Sequence, residues 1–231
     1  MKRHKENADE GPVPSVFRDR RQAGAILAKK LQERYRFAEK PLVLAIPRGG
    51  VVTGDEIASR LGADLDVIVS KKVGAPGNPE LAVGAVMHDG SFFPNTGIIE
   101  VLRVPQAYIT QQIAEKKIEI ERRLAKFRGG KDYSLEGRTV ILTDDGVATG
   151  ATVFAAINWL KTQKVKKLVV AMPVGPADTL ERIRQIVDEL VVIHAPEDFA
   201  AVGVFYEEFA QVSDDEVVEI MGRWRQRPGL S

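Results

Sequence analysis

The segment from Val140 to Thr152 constrains the fold of this chain more than any other. It reads Val-Ile-Leu-Thr-Asp-Asp-Gly-Val-Ala-Thr-Gly-Ala-Thr, an apolar run that ends in two adjacent carboxylates and a loop of small and hydroxyl residues. A helical pattern follows the loop. In an open α/β sheet this order places the acidic pair at the carboxyl edge of a strand, where ligands bind.

The loop after the acidic pair has the composition of a phosphate site. Gly146 and Gly150 allow a tight turn and a close approach of the backbone to a ligand. Backbone amides at a helix N-terminus, together with hydroxyl groups, can surround a phosphate. The residues predicted to do so form one run: Ala148, Thr149, Gly150, Ala151 and Thr152. An alternative is an ordinary buried strand followed by a helix with Thr149 as its N-cap.

The acidic pair, Asp144 and Asp145, needs partners of its own. Two carboxylates about 5 Å apart repel by roughly 3 kcal/mol at an effective dielectric near 20, whereas a helix dipole returns only about 0.3–2 kcal/mol. Sugar hydroxyls, a divalent cation, or both would resolve this conflict. A phosphorelay receiver domain also carries paired aspartates after a strand, but there the pair lies near the start of the fold.

Composition excludes several other classes of protein. The 231 residues carry a formal charge of +1 and no cysteine, which excludes disulfides, thiolate metal sites and a cysteine nucleophile. No charge excess favours nucleic acid or membranes, and no apolar run has the roughly 18 residues of a spanning helix. Residues 1–14 are charged and lack the apolar core of a signal peptide, so we expect a flexible tail on a cytoplasmic protein. Residues 15–231 are expected to form one domain.

Alternating patterns predict an α/β fold: a mostly parallel, doubly wound sheet of about five core strands with helices on both faces. Strands are expected at Leu42–Ile46, Leu65–Val69, Val83–Met87, Thr139–Leu142, Leu168–Met172 and Leu190–Ile193. Helices are expected at Arg18–Phe37, from Asp55 to Leu61, over the long stretch Pro105–Phe127, after the acidic loop to Gln163, and at Asp178–Val187 and Glu216–Arg225.

Two further segments could bind anions. Arg48, Gly49 and Gly50 follow the first strand, and a guanidinium beside exposed glycine amides suits a pyrophosphate. Lys71 and Lys72 precede a run rich in glycine and proline, residues 73–80, which is typical of a mobile loop.

These motifs together resemble type I phosphoribosyltransferases. The run Asp144 to Thr152 is similar to their phosphoribosyl pyrophosphate motif, and Arg48-Gly49-Gly50 matches the position of their pyrophosphate loop. Further runs, Phe17 to Arg20 and Gly203 to Tyr206 among them, resemble a subgroup of predicted phosphoribosyltransferases of unsettled substrate. The resemblance implies a small hood over the sheet, built from the N-terminal helix and residues 195–231, and a long inserted helix.

The resemblance also implies a reaction. A Mg2+-dependent enzyme would move ribose 5-phosphate from phosphoribosyl pyrophosphate to an unidentified small-molecule acceptor and release pyrophosphate. Asp144 and Asp145 would serve the sugar and the metal, and Lys72 or its neighbour Lys71 would meet the pyrophosphate under a closing loop. No nucleic-acid or membrane partner is implied, and a homo-oligomer is compatible with the resemblance. The alternative is a regulatory protein of the same fold that binds the donor without turnover.

The acceptor is the open question. Enzymes of this family that act on 6-oxopurines carry an aspartate where this chain has Ala148, so hypoxanthine and guanine are disfavoured as acceptors. Four aromatic residues gather in the hood segment, and a planar acceptor could stack on one of them. We expect Phe199 or Tyr206 to face the site, with Phe205 and Phe209 as packing residues.

Overall fold

The computed structural model describes residues 16–35, 40–129 and 133–226. In chain order its elements are α1 (Arg20–Gln32), β1 (Leu42–Ala45), α2 (Gly49–Leu61), β2 (Asp64–Val67), β3 (Ser70–Ala75), β4 (Asn78–Met87), β5 (Phe92–Pro94), α3 (Thr96–Leu102), α4 (Gln106–Arg128), β6 (Thr139–Thr143), α5 (Ala151–Lys161), β7 (Lys167–Val174), α6 (Ala177–Arg184), β8 (Glu189–His194) and α7 (Asp214–Arg225). A short 3-10 helix, Val202–Phe205, lies between β8 and α7.

The central sheet has five strands in the order β2-β1-β6-β7-β8, and every neighbouring pair is parallel. Strands β1 and β6 are buried along their whole length. Such strands read as continuous apolar runs because helices cover both faces of the sheet. The predicted parallel sheet of about five core strands is therefore confirmed.

Two layers of helices enclose this sheet. On one face, residues of α1, α2 and α7 share a core with Val43 and Ala45 of β1. On the other face, residues of α5 and α6 pack with Leu42 and Leu44 of the same strand. Helices on both faces are the doubly wound arrangement that the sequence predicts. Within the described ranges, no helix has the length and apolarity needed to span a bilayer.

A second sheet, antiparallel, joins β3, β4 and β5. Residues of α3 and α4 pack on one side of it, and α5 packs on the other. The predicted strand Val83–Met87 is the second half of β4 and belongs to this sheet. The long inserted helix is confirmed as α4, with Ile109, Ile120 and Phe127 buried.

The prediction that residues 73–80 form a loop without regular structure is wrong. Strand β3 continues to Ala75 and β4 begins at Asn78, so the two strands form a hairpin. Gly77 takes a positive φ of 76° in the turn, and Gly74 lies where a Cβ would come within 2.6 Å of the Cα of Pro79. The glycines and prolines therefore serve a tight turn and an irregular register rather than a structureless segment.

The hood segment packs against one of the two helices expected to belong to it. Helix α7 lies on the central sheet, whereas α1 packs both on that sheet and, through Ala23 and Ile26, against the hood, which consists of residues 196–212, with the 3-10 helix at its centre, and the chain just before α1. Phe17 joins the two parts: its backbone N–H donates to the carbonyl of Phe205 at 2.9 Å, and it forms an isolated parallel bridge with Tyr206. The predicted flexible tail, residues 1–14, lies outside the described residues.

The sheet order creates a crevice between β1 and β6. From β1 the chain runs through α2 to β2 on one side, and from β6 it runs through α5 to β7 on the other. Ligands in open α/β sheets bind outside the carboxyl ends of strands at such a switch point. The loops that follow β1 and β6 carry Arg48 to Gly50 and Asp144 to Gly150, so both predicted anion sites meet in this crevice.

Candidate active site

The two loops touch at the glycine pair. Gly49 and Gly50 form the first turn of α2, and a Cβ built on Gly49 would lie 1.8 Å from Oδ2 of Asp145. A Cβ on Gly50 would lie 2.7 Å from the Cα of Asp144. A side chain at either position would displace the acidic pair, so the glycines are required for this close approach.

Asp144 is held by backbone amides. The N–H of Asp145 donates to its Oδ1 at 2.8 Å, and the N–H of Gly50 also donates to this carboxyl. Burial, followed by the charge of Asp145, nevertheless raises the pKa of Asp144 well above its ordinary value. Desolvation and a neighbouring like charge both disfavour the ionised form. Because the neutral form of Asp144 is favoured, the repulsion between the two carboxyl groups is reduced.

Asp145 has a cationic partner that the sequence did not reveal. Nε of Arg20, at the start of α1, donates to Oδ2 of Asp145 at 2.7 Å, and the two side chains are only 10% and 16% exposed. The hydroxyl of Tyr206 donates to the backbone carbonyl of Asp145 at 2.5 Å. Arg20 lies in the run Phe17 to Arg20 that resembles a family subgroup, which was the only sequence signal for it.

The phosphate-type loop ends at an open helix N-terminus. Gly150, with a φ of 78°, is the N-cap of α5 and offers no side chain to cap the helix. The alternative in which Thr149 caps the helix is therefore wrong. Ala148 and Thr149 are exposed, and Ala151 and Thr152 are partly exposed. These five residues are gathered at one helix N-terminus, where amides can receive an anion.

Gly146 plays a different part from the one predicted. It is buried, and a Cβ at this position would lie 2.6 Å from a methyl carbon of Val202 in the hood and 3.1 Å from one of Val174. The next residue, Val147, is fixed by an N–H donated to the carbonyl of Val174 at 2.9 Å. Gly146 thus lets the hood pack on the loop, and the structure gives it no open surface for substrate.

Each of the three predicted basic residues pairs with a carboxylate. Arg48 is partly exposed, and its Nη1 lies 3.6 Å from Oδ1 of Asp214 at the start of α7. Lys72 pairs with Glu80 across the hairpin at 2.8 Å, while Lys71 pairs with Glu119 of α4 at 3.0 Å.

The two lysines lie on opposite faces of the second sheet. Lys72 is paired with Ala85 of β4, so both side chains lie on the same face of the sheet. Ala85 packs with α5, and α5 begins at the phosphate-type loop. Lys71 is opposite Val86, which packs in the cluster of α4. The register therefore favours Lys72 as the lysine on the side of the candidate site.

The hood aromatics are engaged with one another. Tyr206 is buried at 5% exposure and contacts the rings of Phe17 and Phe209, so the expectation that it offers a face to an acceptor is not supported. Its hydroxyl, rather than its ring, reaches the site. Phe199 is partly buried and stacks on Phe205 with ring centroids 5.6 Å apart.

No group of three or more metal-ligand side chains occurs in the part of the chain that the structure describes. Asp144 and Asp145 can offer a cation at most two carboxylates, one of them already paired with Arg20. Mg2+ commonly binds through one or two carboxylates plus substrate phosphates and water. The acidic pair fits such a shared site, and it does not fit a site built from protein ligands alone.

A family model agrees with this geometry: the phosphoribosyl transferase domain matches residues 18–208. The chain belongs to this family. The match covers both loops of the crevice, the hairpin and most of the hood. The resemblance drawn from the Asp144 to Thr152 motif is thereby confirmed.

Two relatives extend the comparison. A Mycobacterium tuberculosis protein, named "Putative phosphoribosyl transferase" in two strains, is 40% identical over 209 residues, which are 90% of this chain. The chain spans 47% of that relative's length. The crystal structure of TT1426 from Thermus thermophilus is 41% identical, with a TM-score of 0.77 over 90% of this chain and 98% of that one.

Proposed function

We propose that this domain binds phosphoribosyl pyrophosphate and transfers its ribose 5-phosphate to a small acceptor, releasing pyrophosphate. The observation that carries the proposal is the meeting of two loops at the switch point: the acidic pair with an uncapped helix N-terminus on one side, and Arg48 with the glycine turn on the other. One loop suits a sugar phosphate and the other suits a pyrophosphate.

Each group of site residues would bind a different part of phosphoribosyl pyrophosphate. The amides and hydroxyls from Ala148 to Thr152 would bind the 5-phosphate at the start of α5. Asp144 and Asp145 would accept hydrogen bonds from the ribose hydroxyls. Arg48 and the amide of Gly49 would contact the pyrophosphate, and Lys72 would approach it from the hairpin. For Arg48 this requires release of the long contact with Asp214.

Catalysis would rest on positioning and charge. Departure of pyrophosphate leaves positive charge on the sugar ring, as glycosyl transfer generally does. Groups fixed before the reaction stabilise developing charge without reorganising, and Arg48 and Lys72 can stabilise the departing anion. Mg2+, when bound, would neutralise the pyrophosphate, with Asp144 and Asp145 as its protein partners.

The acceptor site should take a molecule that needs no proton exchange with residue 148. Ala148 is exposed at the loop and has no ionisable group. Because Tyr206 is packed inside the hood, Phe199 is the remaining candidate of the two for contact with an acceptor. The expectations of a homo-oligomer and of a cytoplasmic location stay predictions.

Calorimetry tests the donor site. We expect phosphoribosyl pyrophosphate to bind in the micromolar range with Mg2+ and much more weakly with a chelator. Asp145→Asn should weaken binding at least tenfold, because the amide cannot match a carboxylate as an acceptor. Asp66→Asn is the matched control: Asp66 also pairs with a buried arginine, Arg128, but belongs to β2 rather than to the loops that follow β1 and β6, so its variant should bind as the wild type does.

A screen for pyrophosphate release then separates an enzyme from a regulatory protein. Release that depends on an added acceptor identifies a transferase and its substrate. Tight donor binding without release by any acceptor favours the regulatory alternative. No donor binding by the wild-type protein contradicts both.

A further inference from the structure

Asp145 is held from two directions by the hood and the helix beside it. Arg20 donates from Nε to its carboxylate, and Tyr206 donates from its hydroxyl to its backbone carbonyl. Arg20 also donates from Nη1 to the carbonyl of Ala210 at 2.8 Å. The guanidinium of Arg20 therefore joins the acidic loop to the hood. Its two partners, Asp145 and Ala210, lie 125 and 190 residues from it in the sequence.

The two groups that hold Asp145 are connected through one ring. The guanidinium carbon of Arg20 lies 3.8 Å from the centroid of the Phe209 ring. Phe209 in turn stacks on Tyr206, with centroids 4.9 Å apart and planes inclined by 29°. A planar guanidinium on an aromatic face gains both cation–π and stacking attraction. Arg20 and Tyr206 thus both contact the Phe209 ring, and both contact Asp145.

We propose that Arg20 is a positioning residue for the donor sugar, and that the stack Arg20–Phe209–Tyr206 is a clamp that fixes Asp145 for the ribose hydroxyls. This inference rests on the proposed function, because it assigns the clamped carboxylate to the donor ribose. The clamp fixes the side chain through Arg20 and the backbone through Tyr206. A carboxylate held at both points keeps its acceptor geometry when the sugar arrives and when it reacts.

The chain contains a matched pair that separates positioning from plain stability. Arg128 donates to both carboxylate oxygens of Asp66 at 2.7 Å, and its guanidinium carbon lies 3.7 Å from the ring centroid of Tyr133. Its side chain is 7% exposed, against 10% for Arg20. The two arginines therefore have similar burial, an ion pair with an aspartate at 2.7 Å and the same kind of aromatic contact, although Arg20 binds one carboxylate oxygen and Arg128 binds both. Of the two, Arg20 is the one that pairs with a residue of the loops forming the crevice.

The test compares Arg20→Lys with Arg128→Lys. Lysine keeps the charge, yet it loses the planar fork and the stacking. Dissociation constants of phosphoribosyl pyrophosphate and of inorganic pyrophosphate are measured by calorimetry at one Mg2+ concentration, beside thermal unfolding of each variant. For Arg20→Lys we expect a tenfold or greater loss of donor affinity, with pyrophosphate affinity within twofold of wild type, because pyrophosphate has no ribose. Arg128→Lys should leave both constants within twofold.

Equal losses for the two ligands, or no loss for either, would overturn the clamp. If Arg20→Lys does not fold, Tyr206→Phe decides, since it removes one hydroxyl and keeps the stack. It should weaken the donor alone, by about threefold or more, and unchanged donor affinity in this variant would overturn the clamp. No donor binding by the wild-type protein would instead overturn the proposed function, and the clamp's assignment to ribose with it.

Discussion

Asp144 and Asp145 are two adjacent, partly buried carboxyl groups, and different neighbours compensate the charge of each. Asp144 receives two backbone N–H groups and has a raised pKa because of its burial and its neighbour. Asp145 receives the guanidinium of Arg20. A ligand that brings hydroxyls or a cation would meet two different groups. The pKa of Asp144 is raised, whereas the charge of Asp145 is already balanced by Arg20.

The substitution Gly49→Ala tests this arrangement by adding a single methyl group beside Asp145. In Gly49→Ala the added methyl would lie 1.8 Å from Oδ2 of Asp145 and 2.8 Å from Nε of Arg20, so the ion pair between these two side chains must rearrange. We expect at least a tenfold loss of affinity for phosphoribosyl pyrophosphate, measured by calorimetry on protein that still unfolds cooperatively. Gly222→Ala in α7 is the control, since the nearest atom to its added methyl is 4.0 Å away. Wild-type affinity in Gly49→Ala would show that Asp145 need not stay in place for binding.

At the scale of the element, the hairpin of β3 and β4 presents two neighbouring lysines on opposite faces. If Lys72 reaches the pyrophosphate as it leaves, Lys72→Ala should lower kcat more than it raises the donor KM, because the interaction strengthens in the transition state. Lys71→Ala removes the pair with Glu119 on the other face and should leave both constants near their wild-type values. Steady-state kinetics of the two variants, with the acceptor found by the screen, measures this difference. Equal effects of the two substitutions would contradict the assignment of Lys72.

Elements with strong local signals were predictable from sequence. The strand, acidic pair and helix around residues 139–161, and the long helix α4, follow from apolar runs and a regular stripe. The hairpin was missed because glycine and proline in residues 73–80 indicate a loop, whereas pairing between β3 and β4 decides their structure. Arg20 was missed for a related reason. Its partner lies 125 residues away, and no local pattern encodes such a contact.

At the scale of the whole molecule, a charge network on β7 and β8 ties these strands to the end of α1. Glu189 of β8 accepts from Lys167 of β7 at 2.9 Å and from Arg34 and Tyr35, which follow α1. Burial opposes ionisation of Glu189, but these hydrogen bonds outweigh it and lower its pKa from 4.5 to about 2. The Glu189 side chain is 14% exposed, whereas its partners Arg34 and Lys167 are 60% and 39% exposed, so solvent reaches the cationic side of the network.

A lowered carboxyl pKa makes stability depend on pH in one direction. The contribution of Glu189 is fully present above a pH of about 4.5 and is lost as the pH falls through about 2. The shift corresponds to about 3 kcal/mol of unfolding free energy at neutral pH, of which roughly 2 kcal/mol is lost by pH 3. In Glu189→Gln this loss should be absent, so urea unfolding at pH 7 and pH 3 should show a smaller difference than in the wild type. Glu181→Gln, at a surface pair with Arg184 that is 53% exposed on the glutamate side, should keep the wild-type difference. A wild-type pH dependence in Glu189→Gln would mean that other carboxyls, not this network, determine the acid stability of the fold.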